Sequence, residues 1–428
     1  FEHGPSGRRY SVARVDGRLH HRESLVTGDG STVTLSDHPL KYLVGSGRFS
    51  RTYLVELDGF LVESPITWYA SLKAWNMSPG YDHPHHDSFR RRANHGCLLC
   101  HAGLVTASDP HGFAFPHKEL AIGCERCHGP GSAHVKRHER VAARGPTTGD
   151  GTIDLTIVNP AHLDRSLAEA VCQQCHLQGD VKILVRGRRP GDFRPGLPLA
   201  DERVEYRLEG SGPEMTVVGH VEQLRQSRCY QQAESLSCVT CHDPHDPHEP
   251  RSVMKNLTYQ RSVCLGCHKP DSCGAASTAR QATAPVADAC TSCHMPQVPT
   301  EIPHIAFTHH RIAVHGSADI KAAGNTGSAS PAEQKLVTCQ DLSQFSSDER
   351  DRMLGLAYLR LHFQRQWSHG TFLTRAGTLL NDVASRISGD GELAAARAEI
   401  AWERGDRTQA ARLAQLALQQ VLSFQVDA

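Results

Sequence analysis

Twelve of the chain's 15 cysteines recur in one pattern, Cys-x-x-Cys followed directly by histidine. The six copies are Cys97, Cys100 and His101; Cys124, Cys127 and His128; Cys172, Cys175 and His176; Cys238, Cys241 and His242; Cys264, Cys267 and His268; and Cys290, Cys293 and His294. Two cysteines three positions apart lie on one side of a helical turn, and the next residue continues that face. Covalent haem attachment needs this arrangement: two thiols to bond the porphyrin vinyl groups and an imidazole beside them to take the iron. The competing chemistry is zinc, with paired Cys-x-x-Cys units making three sites of four thiolates each. Zinc or a disulfide framework gives no reason for a histidine after every second cysteine. The expected cofactor is therefore six haem c groups.

After Cys124-Glu-Arg-Cys127-His128, the segment Gly129-Pro130-Gly131 ends the helical turn, because proline cannot continue it and glycine permits a sharp reversal. The chain then carries His134 away from its own motif, toward another iron. Of 28 histidines, 22 lie outside the motifs, against only five methionines. Iron held by two histidines is the expected ligation, which keeps the potential low and the iron closed to substrate. Basic and acidic residues balance at 46 each, and haem propionates would make the loaded protein acidic. The basic residues are dispersed, without a run or aromatic interleaving, which excludes nucleic acid as a partner. No apolar run reaches the roughly 20 residues of a membrane span. The chain starts at Phe1, as expected of a mature chain after processing.

Four segments must position these groups. Residues 1–92 form an expected β-rich cap, with strands at Ser31–Leu35 and Lys41–Val44 and a hairpin from Thr52 to Ser64 about Asp58-Gly59. Residues 93–315 hold all six motifs, about 33 residues to each between Cys97 and His294. Such a segment has little room for an ordinary core, so the expected fold is mostly irregular and α-helical, wrapped on stacked haems. In its longest gap, Val181–Val185 and Glu214–Val218 read as strands. Residues 316–331 are small and linker-like. Residues 332–428 are rich in Ala, Leu, Arg and Glu. Two helices are expected there, Glu392–Arg404 and Thr408–Leu422, broken at Gly405-Asp406, with Asp406 and Gln409 in capping-box positions. The pair resembles a tetratricopeptide repeat; a plain helical hairpin is the alternative.

The segment CERCHGPGSAHV (124–135) resembles the signature of the tetrahaem electron-carrier cytochromes of hydroxylamine oxidation and their octahaem relatives. GHVEQLRQSRCY (219–230), Cys238 to His245, and Cys290 to Pro296 with IPHIAFTHHRI (302–312) are similar to periplasmic multihaem cytochromes with tetratricopeptide tails. With KYLVGSGRFSRTYL (41–54) and SPITWYASLKAW (64–75), the resemblance spans about residues 38–315. It implies that His134 and His245 ligate haems other than their own, with His220, His304 and His310 next. The sixth distal ligand is expected from His38, His117, His309 or His315, and His38 is the best placed. His3, His20, His21, His362 and His369 are expected on the surface. Cys229, Cys273 and Cys339 lie outside the motifs, and a Cys229–Cys273 disulfide or free thiols both fit.

The resemblance also implies attachment of haem after export, hence a periplasmic or cell-surface location. Electron transfer is the expected function, with redox proteins or copies of the same chain as partners, and a head-to-tail conductive filament is permitted. The alternative is a multihaem oxidoreductase of the nitrite, hydroxylamine or tetrathionate type with one open iron. No Cys-x-x-Cys-Lys variant occurs to mark such a site. A third reading makes the helical tail a docking module and the haems passengers.

Overall fold

The computed structural model describes residues 1–103, 119–143, 153–209, 217–245, 253–283, 286–300, 302–316, 334–365 and 370–426. The N-terminal region is built from two antiparallel sheets. The first has the order β1-β2-β3-β4, from β1 (Glu2–His3), β2 (Arg8–Val15), β3 (Arg18–Val26) and β4 (Thr32–Pro39). The second runs β5-β6-β8-β9, with β7 paired to β6: β5 (Tyr42–Val44), β6 (Ser50–Leu57), β7 (Phe60–Glu63), β8 (Ile66–Tyr69) and β9 (Ala74–Met77). Asp58 and Gly59 have φ of 50° and 83° and join β6 to β7, with Leu57 opposite Phe60. That is the two-residue turn geometry an Asp-Gly pair favours. Tyr10 of the first sheet packs with Ile66, Met77 and Tyr81 of the second region, so the two sheets share a core.

The motifs follow on short helices. They are α1 (His95–His101), α2 (Glu125–His128), α3 (Ser132–Ala142) and α4 (Arg165–His176). Next come β10 (Val181–Leu184) and β11 (Arg203–Leu208), then α5 (His220–Arg225), α6 (Arg228–Gln232), α7 (Cys238–Cys241) and α8 (Val253–Leu265). After α9 (Ser277–Gln281) and α10 (Cys290–His294), a hairpin of β12 (Gln297–Pro299) and β13 (Ala306–Thr308) docks on the N-terminal sheets. There the Ser71 hydroxyl donates to the His304 carbonyl at 2.8 Å, and Phe49 meets Phe307 at 5.1 Å between centroids.

Among the described residues, the C-terminal region adds β14 (Leu336–Thr338) and four helices: α11 (Ser347–Gln364), α12 (Thr371–Val383), α13 (Gly391–Glu403) and α14 (Arg407–Val426). Gly405 has φ of 81° between the last two, and Asp406 accepts from the Gln409 N–H at 2.9 Å. β14 pairs with β11, which also pairs with β10. Val181, Ile183, Val204, Tyr206 and Leu208 from these strands lie in one core with Met353, Leu361, Phe372, Leu380 and Ile400 from the helices. The helices are thus completed by residues 181–208, far upstream.

The expected fold class is overturned. The chain is 38% helix and 20% strand, and the strands among the described residues form four antiparallel sheets, rather than a mostly irregular and α-helical domain wrapped on stacked haems beside a small β-rich region. The physical reason is that the chain has enough periodic apolar sequence to build cores of its own. Val204, Tyr206 and Leu208 alternate with charged residues on β11, a two-residue period. The β2–β3 hairpin was also unforeseen, although Asp16-Gly17 at its tip marks it. Val217 and Val218 are not in a strand, and the rest of the expected strand Glu214–Val218, like most of the 316–331 linker, lies outside the described residues. No helix among the described residues is long and apolar enough to cross a membrane.

Candidate haem centre

Each motif is held on about one helical turn. The histidine N–H donates to the carbonyl of the first cysteine in His128 (3.0 Å), His242 (3.1 Å) and His268 (3.0 Å). That bond puts thiols and imidazole on one face. At α1, the Asn94 side chain accepts from the Cys97 N–H and starts the helix that carries Cys97, Cys100 and His101.

The motifs also meet one another. Cys100 lies beside Cys175, Cys172 beside Cys238, and Cys264 beside Cys290. The first, third and fourth motifs are therefore in contact, as are the fifth and sixth. Cys127 also lies near Cys172, and Cys264 near Cys241, which extends the contiguous set. Burial raises the Cys264 thiol to about 11. Among the described residues no group of three or more thiols converges on one point, so the four-thiolate zinc arrangement is not assembled.

The twelve motif cysteines do not share one setting. Cys267 and Cys293, the second cysteines of the fifth and sixth motifs, are exposed, whereas their partners Cys264 and Cys290 are half-buried against each other. The reason is local. Helix α8 ends at Leu265, so Cys267 falls in the turn beyond it. Cys293 lies near the end of α10, a five-residue helix with no buried residue. Cys97 and Cys124, each the first cysteine of its motif, are exposed as well. The other eight are half-buried.

Histidine pairs supply the other half of the donor set. His128 and His245 have ring centroids 5.8 Å apart and an interplanar angle of 8°. His242 and His310 are 6.2 Å apart at 24°. A metal bonded at about 2 Å to a nitrogen of each of two imidazoles puts the centroids roughly 6 Å apart. The His128 Nδ1–H donates to the Val158 carbonyl at 2.8 Å and the His310 Nδ1–H to the Thr308 carbonyl at 2.9 Å. These bonds set the tautomer and leave Nε2 as the free donor atom, the usual support of a ligating histidine. His294 is prepared in the same way, by Nδ1–H donation to the Ala313 carbonyl at 2.9 Å.

His176 and His220 are closer, with Nδ1 atoms 2.9 Å apart and centroids 4.9 Å apart, and His220 also meets His310 at 4.3 Å. Burial, then the neighbouring imidazoles His310, His176 and His242, lowers His220 to about 3, and burial lowers His310 to about 4. Both are thus neutral at pH 7, the form that binds metal. Burial also pushes Glu222, on the same helix as His220, up to about 7. Cysteine pairs and prepared imidazoles on shared helical faces fit covalently bound haem.

The remaining distal candidates lie elsewhere. His134 binds Asp154, and its ring meets that of His138 at 4.5 Å between centroids, tilted by 55°, rather than a motif histidine. His304 Nε2 is 3.1 Å from the Asn76 amide, and its ring packs on Tyr69. His38 sits in β4 against Phe89 at 4.8 Å. His309 is buried and pairs with His315 at 5.1 Å, while His117 lies outside the described residues. Three histidines expected on the surface are buried: His3 against Ser6 and Asp82, His21 between Tyr53 and Trp75, and His362. His20 is half-buried against Asp37, and His369 lies outside the described residues. Cys229, Cys273 and Cys339 are free thiols, so no Cys229–Cys273 bridge forms, and burial raises Cys339 to about 12.

No family model, curated protein or solved structure matches this chain.

Proposed function

We propose that this chain is a c-type cytochrome that binds six haems and transfers electrons. The observation that carries the reading is the meeting of motif histidines His128 and His242 with His245 and His310, spaced as two ligands of one metal. Bound at the motifs, haem supplies one-electron redox chemistry. The chain's own residues tether each group through paired thiols, ligate it through imidazole, and fix ring orientation through the Nδ1–carbonyl bonds. Contact between motifs from distant parts of the sequence supports short hops between neighbouring sites. The location proposed is the periplasm or cell surface, with redox proteins or further copies of the chain as partners, filament included.

A haem count by mass and a reduced spectrum with and without carbon monoxide test this. Six haems and no shift are expected. Fewer than six haems would overturn the attachment reading. A shift worth one haem would favour the oxidoreductase alternative, and nitrogen and sulfur oxyanions would then be screened as substrates.

A further inference from the structure

Helix α3 carries His134 and His138 four residues apart, so both imidazoles leave one face. Asp154 approaches that face from further along the chain. Its Oδ1 is anchored by the Thr156 N–H at 2.8 Å and by the Thr156 hydroxyl. Its Oδ2 is left facing both rings, 2.8 Å from His134 Nδ1 and 3.1 Å from His138 Nε2. The three donor atoms lie within 4.8 Å of one another, the only such convergence among the described residues. Arg137 stands 3.8 Å from the anchored oxygen, Oδ1. His138 is 56% exposed at its side chain, which leaves a path for an ion.

We propose that His134, His138 and Asp154 bind a divalent transition-metal ion of the zinc class, separate from the haem irons. Two imidazoles and a carboxylate are the borderline donors such ions take. Bonds of about 2 Å in a tetrahedral arrangement set donor atoms about 3.3 Å apart, so the two distances from Asp154 Oδ2 to the rings need to open by only a few tenths of an ångström. On binding, each ring gives its lone pair at the nitrogen now facing Asp154 and carries its proton on the other nitrogen. Three protein ligands leave a fourth position for water or another small donor. His134 is thereby committed to this ion and does not cross to a second iron, and the site stands whether or not the haems transfer electrons.

The test uses the haem-loaded full chain, stripped with chelator and titrated with Zn(II), or with Co(II) as a visible reporter. One ion per chain beyond the iron is expected. His138→Ala and Asp154→Asn should each weaken it at least tenfold, with haem content and spectrum unchanged. Failure to bind Zn(II), or equal binding by the His138→Ala/Asp154→Asn double variant, would overturn the proposal. So would a high-spin haem in His134→Ala, because His134 would then be an iron ligand.

Discussion

At the scale of single residues, a histidine's use is decided by which ring nitrogen is already committed. His128 and His310 spend Nδ1 on backbone carbonyls and keep Nε2 free, whereas His304 directs Nε2 at Asn76. Replacing a ligand should open one iron, and replacing an anchor should not. His245→Ala is therefore expected to give one haem's worth of high-spin signal and carbon monoxide binding, with His128 as the remaining ligand. His304→Ala is expected to leave the spectrum unchanged while loosening the β12–β13 hairpin. Electron paramagnetic resonance and the carbon monoxide difference spectrum of the two variants check this; a high-spin signal in His304→Ala would reverse the assignment.

At the scale of elements, the C-terminal helices depend on a buried ion pair and on close packing. Arg352 of α11 is fully buried and reaches Asp390, with a second bond to Glu392 at 2.8 Å. Asp390 also caps α13 by accepting from the Leu393 N–H at 2.9 Å. Burial pushes the Asp390 carboxyl up, but Arg352 and the Leu393 N–H outweigh it and hold it below its ordinary 3.8. A lowered folded value means stability that is present above about pH 4 and lost as pH falls through the folded value. Acid titration of helix content should show that loss. Arg352→Met leaves a buried carboxylate without its partner and should cost about 3–5 kcal/mol, read by urea unfolding. In the same helix, a Cβ at Gly355 would lie 2.6 Å from Leu380 Cδ2. Overpacking of that kind costs about 1–3 kcal/mol and exceeds the roughly 1 kcal/mol helix-propensity gain of alanine. Gly355→Ala should therefore lower stability, and a rise in the urea midpoint would show that α12 can move aside.

At the scale of the whole molecule, the chain closes on itself. β14 pairs with β11, and α11 to α13 cover the β10–β11 hairpin that follows the third motif. Truncation after residue 315 is consequently not a clean removal of a tail. It should expose Val204, Tyr206 and Leu208 and abolish hydrogen-exchange protection of β11. Unchanged protection in the shortened chain would show that the hairpin stands without the helices. A test of the tail as a partner-binding unit is better made with surface variants of α13 and α14.

Much of the site was legible before folding. The six Cys-x-x-Cys-His motifs are local, so spacing alone puts two thiols and an imidazole on one turn of helix. Spacing could not tell which thiols the fold encloses: Cys264 packs on Cys290, while Cys267 and Cys293 face solvent. The Asp58-Gly59 hairpin and the Asp406 cap were readable because each is decided by neighbours in the chain. The expected fold class failed because β11 joins strands and helices separated by more than a hundred positions, and a count of residues per motif cannot register that. Histidine partners were equally hidden. His245 meets His128, while His134, only six positions past His128, turns into α3 and faces Asp154. The sequence by itself determined which groups can hold a metal, because donor type and helical periodicity are short-range properties. Only the tertiary structure decided which of them meet, because that depends on where long-range packing brings each backbone.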